Sequence, residues 1–170
     1  MSKRRPWPAA ILIVLALPSV LKGQDLDKKL NILKPMIGQT WEGTLKSPDG
    51  RQEFKTVQRM DVIWNGSVLK YTGSVPDLDD HFEGFVYWDP EAERIAFFIA
   101  HSKGVVKTGT ISGDDGIITF RGRILFPERQ FDFKNTFEFP SDGVMIDRWF
   151  QNAFGPWQPG HVIEFRVKED

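Results

Sequence analysis

The sequence predicts an all-β protein: a ten-stranded antiparallel up-and-down β-barrel with a short N-terminal helix, behind a signal peptide. Three observations predict it. From Thr40 onward, apolar residues recur with period two rather than 3.6. Turn residues punctuate that pattern at short, regular spacing, and no second helix-period segment interrupts it, which argues against parallel βαβ units. Phe is abundant, with 14 copies beside six Trp and two Tyr, so the interior is bulky and has few polar handles.

The N-terminus reads as a targeting segment. Lys3, Arg4 and Arg5 precede an unbroken apolar run from Ala9 to Leu17, followed by Pro18, Ser19 and Gly23. That is the charged, apolar and cleavage order of a secretory signal peptide, assigned to residues 1–23. The run falls well short of the roughly 20 residues a membrane span needs, so no transmembrane span is expected in the mature chain. Residues 24–170 are then one barrel domain, exported to the periplasm or secreted. Processing removes four of the 22 basic residues and none of the 23 acidic ones, leaving an acidic chain. Nucleic acid is a poor partner for it, because phosphate neutralisation needs clustered Lys and Arg. The chain has no Cys, which removes disulfides, thiolate metal sites, Cys nucleophiles and a lipid-modified N-terminal Cys together.

Asp25 is the expected cap of a short helix through Leu26, Leu30 and Leu33, ended by Pro35 and Gly38. Such a helix can plug one end of a barrel. Strands are expected over 40–46, 52–64, 67–73, 82–88, 94–100, 104–111, 116–126, 129–139, 143–152 and 161–168. Between them lie turn signals, of which Asn65-Gly66 is the strongest, the preferred pair of a two-residue type I′ hairpin. Closing the meander hides both sheet edges.

Alternation assigns the faces. Phe131, Phe133, Phe137 and Phe139 share one face with Asn135; Ile118, Phe120, Ile124 and Phe126 share another, with Gly122 interrupting the row. Some polar residues fall on apolar rows. His161 is in phase with Ile163, Phe165 and Val167, and Arg148 with Val144, Ile146 and Phe150. Gln58 is in phase with Phe54, Met60, Val62 and Trp64, and His101 with Ile95, Phe97 and Ile99. Burying such groups without partners costs a few kcal/mol each, so they bond one another, a trapped water or a ligand. An internal polar network explains each residue singly. Taken together, an apolar wall with a few converging polar groups describes a ligand pocket. Arg148 has a second reading, as a clamp stacked on Trp41 at the barrel base. Asp147, Glu83, Glu138 and Glu164 read as solvated.

Catalytic and metal motifs are missing. There is no phosphate-binding Gly-rich loop and no Gly-x-Ser-x-Gly. Gly113-Asp114-Asp115-Gly116 is a hairpin turn without the spaced ligands of a calcium loop. His81, His101 and His161 are scattered, so zinc would need the fold to gather them. Asp80 and His81 are adjacent, a weak acid–base signal. No catalytic residue, resident metal or cofactor is assigned.

The stretch Leu33-Lys34-Pro35-Met36-Ile37-Gly38-Gln39-Thr40-Trp41-Glu42-Gly43 resembles the opening of calycin-like barrels, the lipocalins and fatty-acid-binding proteins among them. Asn65-Gly66, Glu83-Gly84, Trp88-Asp89 and Gly109-Thr110 resemble exported bacterial domains with that fold. The resemblance implies a small hydrophobic molecule held inside the barrel. It also implies that Trp41 takes the role of the first-strand Trp, facing Arg148 or Arg166. The Gly38-x-x-Trp41 spacing departs from the lipocalin Gly-x-Trp. A narrower resemblance, to nitrobindin-like barrels, implies haem held by His161, although the Gly-x-Trp-x-Gly-x-Gly opening is incomplete. The expected function is an exported binding protein for a small hydrophobic molecule. Phe120, Phe131, Phe133, Phe137 and Phe150 would be walls, with Trp41 beside them and Arg148, Asn135 and His161 at a polar end. The alternatives are the haem protein and an enzyme acting on a hydrophobic substrate in the same cavity, with His161 as its acid–base group.

Overall fold

Ten antiparallel strands pair in sequence order, and the last returns to the first to close the sheet. They are β1 (Thr40–Lys46), β2 (Glu53–Ile63), β3 (Val68–Val75), β4 (Asp80–Asp89) and β5 (Arg94–His101). The second half comprises β6 (Val106–Asp114), β7 (Ile117–Leu125), β8 (Gln130–Ser141), β9 (Val144–Gln151) and β10 (Gln158–Val167). Closure runs through Trp41 opposite Val167 and Gly43 opposite Phe165. The computed structural model describes residues 25–47, 49–153 and 155–169. The expected signal peptide therefore lies outside the described residues. Among the described residues, no helix is long and apolar enough to cross a membrane.

Closure leaves no open sheet edge, and every strand alternates between the interior and solvent. The outer face carries cross-strand ion pairs such as Lys70–Glu83 (2.8 Å) and Lys46–Glu53 (3.0 Å). The inner face carries the core, in which Phe97, Phe165, Leu69, Met60, Val86 and Met145 are sealed from solvent. A 3-10 helix over Lys28–Met36 adds Leu30, Leu33 and Met36 to that core, so it stops one end of the barrel. Its cap is Asp27, whose side chain accepts the Lys29 N–H at 2.9 Å, rather than Asp25.

The helix is anchored by the β2–β3 connection, where the Asp27 N–H donates to the Gly66 carbonyl at 3.0 Å. A Cβ on Gly66 would lie 1.8 Å from the Asp25 carbonyl oxygen, so only glycine fits there. This connection is not the two-residue hairpin expected at Asn65-Gly66. Ile63 faces Val68, leaving four residues in the loop, and Trp64, Asn65 and Gly66 all adopt positive φ. Docking of the helix, a tertiary demand, sets this geometry.

One strand is turned over relative to expectation. On β9 the inner row is Met145, Asp147 and Trp149, while Arg148 and Phe150 face outward. Both rows of β9 are largely apolar, so alternation by itself favoured the row without the acid. Pairing decides otherwise: Asn135 opposes Trp149 and Phe137 opposes Asp147, and directly opposed residues share a face. A register irregularity between Glu138 and Ser141 lies beside the β8–β9 turn.

Candidate functional site

In an up-and-down barrel, alternate connections gather at opposite ends. The β1–β2, β3–β4, β5–β6, β7–β8 and β9–β10 connections lie opposite the helix, and toward them the interior opens into a cavity of about 210 Å³. Phe97, Phe120, Phe133, Phe137 and Phe165 wall it. Phe120 is the hub of the ring packing, 5.2 Å from Phe97 and 5.3 Å from Phe137 between centroids, with tilted and edge-on contacts.

Polar groups enter this apolar wall in four places. The first is a row across adjacent strands β8, β9 and β10. Asn135 Nδ2 donates to Asp147 Oδ1, and His161 Nε2 lies 3.6 Å from Asp147 Oδ2. Asp147 is only 6% exposed, so its carboxylate depends on these partners. The second is the Tyr71 hydroxyl, which donates to Gln58 Oε1. Burial, followed by the charge of Asp147, pushes the Tyr71 pKa up, so it stays a neutral donor. The third is His101, whose Nδ1 lies 3.4 Å from Asp80 Oδ2 at the β3–β4 side of the mouth. The fourth is Lys107, whose Nζ sits 4.8 Å from the Trp149 ring centre.

Trp149 joins two of these places, the row that ends in His161 and Lys107. Its indole stacks on Phe133 at 4.8 Å and 8°, and on His161 at 5.8 Å and 22°. The outcome is an aromatic shelf with a cation above it and the Asn135–Asp147–His161 row alongside. Two polar atoms lining the cavity, Gln58 Nε2 and His101 Nε2, are buried with no hydrogen-bond partner among the described residues. Each demands a partner from whatever occupies the space.

The residues singled out from sequence divide accordingly. Asn135, His161, Phe120, Phe133 and Phe137 line the cavity. Arg148 does not: it is 40% exposed and its Nε donates to Glu138 Oε1 at 3.2 Å on the outer face, away from any role beside Trp41. Phe150 is also outside, under Lys134 Nζ at 4.6 Å. Phe131 stacks on Phe126 at 5.5 Å at the rim and does not line the cavity. Trp41 is buried near the helix end of the barrel, edge-on to Phe139 at 6.1 Å. Asp147, expected in solvent, is the buried carboxylate. Lys107 and Tyr71 are not among the residues singled out from sequence, and Asp80 lines the cavity with His101 as its partner rather than its neighbour His81. Lys107 shares a row with buried Ile111, a signal present in the alternation but overridden by the usual solvation of lysine. His81 is exposed, so the three histidines do not gather. Among the described residues, no three His, Asp or Glu side chains cluster as metal ligands.

Burial, then the nearby Lys107 charge, lowers the His101 pKa to about 4, against the opposing pull of Asp80. The unfolded chain takes up a proton below pH 6.5 that the folded imidazole refuses down to about pH 4. Stability is expected to fall as pH drops through that window, by about 2–3 kcal/mol. Urea unfolding at pH 7 and pH 4.5 measures it. His101→Gln should flatten the slope between those values, and an unchanged slope would refute the assignment.

Fold and site together define a closed ten-stranded antiparallel β-barrel with a ligand-sized cavity at its open end. Among solved structures, the crystal structure of Rv2717c from M. tuberculosis is similar. It is 19% identical over 85% of this chain and 100% of that chain, with a TM-score of 0.58. Similarity at that level concerns the fold. No protein-family model matches the chain, and no curated protein matches it.

Proposed function

We propose that the protein is an exported, calycin-like binding protein whose barrel holds one compact, neutral, largely apolar molecule. The observation that carries this reading is the cavity of about 210 Å³, walled by phenylalanines and holding two unpartnered buried polar atoms. An apolar space of about 150 Å³ suffices for benzene, so a substituted ring is the right size. Charge narrows the class further. Asp147 and Asp80 line the same space as Lys107, so an anionic head group would meet two carboxylates for one ammonium. Export rests on the basic start and short apolar run of residues 1–23.

Native mass spectrometry of protein purified from its own host tests occupancy. Calorimetric titration with indole tests the class, with one site and a negative heat-capacity change expected. Bare protein together with no indole binding would overturn the proposal.

A haem held by His161 fits this site poorly. The imidazole stacks on Trp149 and turns Nε2 toward Asp147. The cavity also lies below the range of about 300–1,000 Å³ usual for drug-sized ligands, so a macrocycle would have to displace the indole. Haemin titration is expected to give no Soret shift that His161→Ala abolishes.

A further inference from the structure

Lys107 is out of place in a pocket that only sequesters an apolar molecule. It projects from β6 into the cavity, and among the described residues no carboxylate lies within ion-pair distance of its Nζ; the two cavity carboxylates, Asp80 and Asp147, pair with His101 and His161 instead. Its contacts are with ring faces, Trp149 at 4.8 Å and Phe133 at 6.0 Å. An ammonium stripped of water, with its nearest carboxylates out of contact, is a poor structural element. A neutral amine in the same place is a nucleophile, because desolvation favours the free base.

We propose that Lys107 captures small aromatic aldehydes inside the barrel as a reversible imine. The inference rests on the binding reading above and names the ligand class for that same cavity. Burial holds the amine down to a pKa of about 8 from 10.5, against the pull of Asp147 and then Asp80. At pH 7 that raises the share of free amine about 300-fold over an ordinary lysine.

The surroundings suit each step. The Lys107 nitrogen lone pair attacks the carbonyl carbon, a C–N bond forms, and the C=O π pair moves to oxygen, which takes a proton. Nitrogen gives up one proton to leave the neutral carbinolamine; its hydroxyl takes a proton from a neighbouring carrier and leaves as water, and the iminium nitrogen returns its remaining proton to that carrier to give the neutral imine. Amine and aldehyde become imine and water, with no oxidant or reductant required. Proton carriers lie beside the same indole: His161 stacks on Trp149, and Asp147 is 3.6 Å from its Nε2. Gln58 Nε2, an unpartnered buried donor in the same cavity, matches a carbonyl oxygen on the incoming molecule. Phe97, Phe120, Phe133 and Phe137 wall the same cavity and give the ring of the aldehyde an aromatic surface to pack on.

Benzaldehyde with sodium cyanoborohydride at pH 7, followed by peptide mapping, tests the proposal on the mature protein. Benzyl alcohol, the same body without the carbonyl, is titrated in parallel. The expected result is reductive labelling at Lys107 on the order of tenfold faster than at any surface lysine. Lys107→Arg and Lys107→Met should lose that adduct and still bind benzyl alcohol. Even labelling across the lysines, with benzyl alcohol bound, overturns the imine and leaves the binding reading standing. Even labelling with no benzyl alcohol bound overturns both.

Discussion

Replacing Asn135 with Ala is expected to destabilise the protein by about 3 kcal/mol, seen as a lower urea midpoint with an unchanged slope. The substitution removes few buried apolar atoms. Its cost comes from Asp147, which is 6% exposed and accepts the Asn135 amide through Oδ1. Without that donor, the carboxylate keeps His161 Nε2 at 3.6 Å and the more distant charge of Lys107. Leaving a buried carboxylate short of its hydrogen-bond donor costs far more than replacing donor and carboxylate together. The double variant Asn135→Leu with Asp147→Leu should therefore be more stable than Asn135→Ala. A double variant as unstable as the sum of its single changes would show that the pair is not coupled. Because the row faces the cavity, indole affinity should also fall in Asn135→Ala, separating this site from a purely structural one.

The second large effect lies on the adjacent strand β7, where backbone spacing rather than charge is decisive. Gly122→Ala is expected to cost about 3–5 kcal/mol or to prevent folding. Gly109 and Gly122 oppose each other across β6 and β7. A Cβ on Gly122 would lie 2.0 Å from the Thr108 carbonyl oxygen and 2.7 Å from Gly109 Cα. These are backbone atoms, so no side chain can rotate away. The strands would have to separate at a point where the closed barrel has no free edge to absorb the shift. Thr119→Ala, on the outer face of the same strand, is the control and should change stability by less than about 1 kcal/mol. Near-wild-type unfolding of Gly122→Ala would show that the two strands tolerate a wider spacing.

These two sites also mark how far the chain was legible. Gly122 stood out as an interruption in an otherwise apolar row, so its importance was visible, while its partner Gly109 was not. Asn135 stood out because four phenylalanines on β8 left no doubt about the face it shared. Asp147 was hidden for the opposite reason. Val144, Ile146 and Phe150 make as good an apolar row as Met145 and Trp149, so the strand had two plausible faces. Lys107 and Tyr71 lay on rows that period two also places inside, but a lysine's charge normally argues for solvent.

The sequence by itself determined the element order, the antiparallel meander, its closure and most strand faces. Those follow from local facts, namely the period of the apolar residues and the turn chemistry between them. Tertiary structure alone decided the orientation of β9, the four-residue loop before β3 and the set of residues around the cavity. Register depends on the partner strand, and a shift of one residue exchanges inside for outside. Thus Arg148, the residue most conspicuous by type, ends on the surface against Glu138. Asp147, its neighbour, becomes the buried charge around which Asn135 and His161 are arranged.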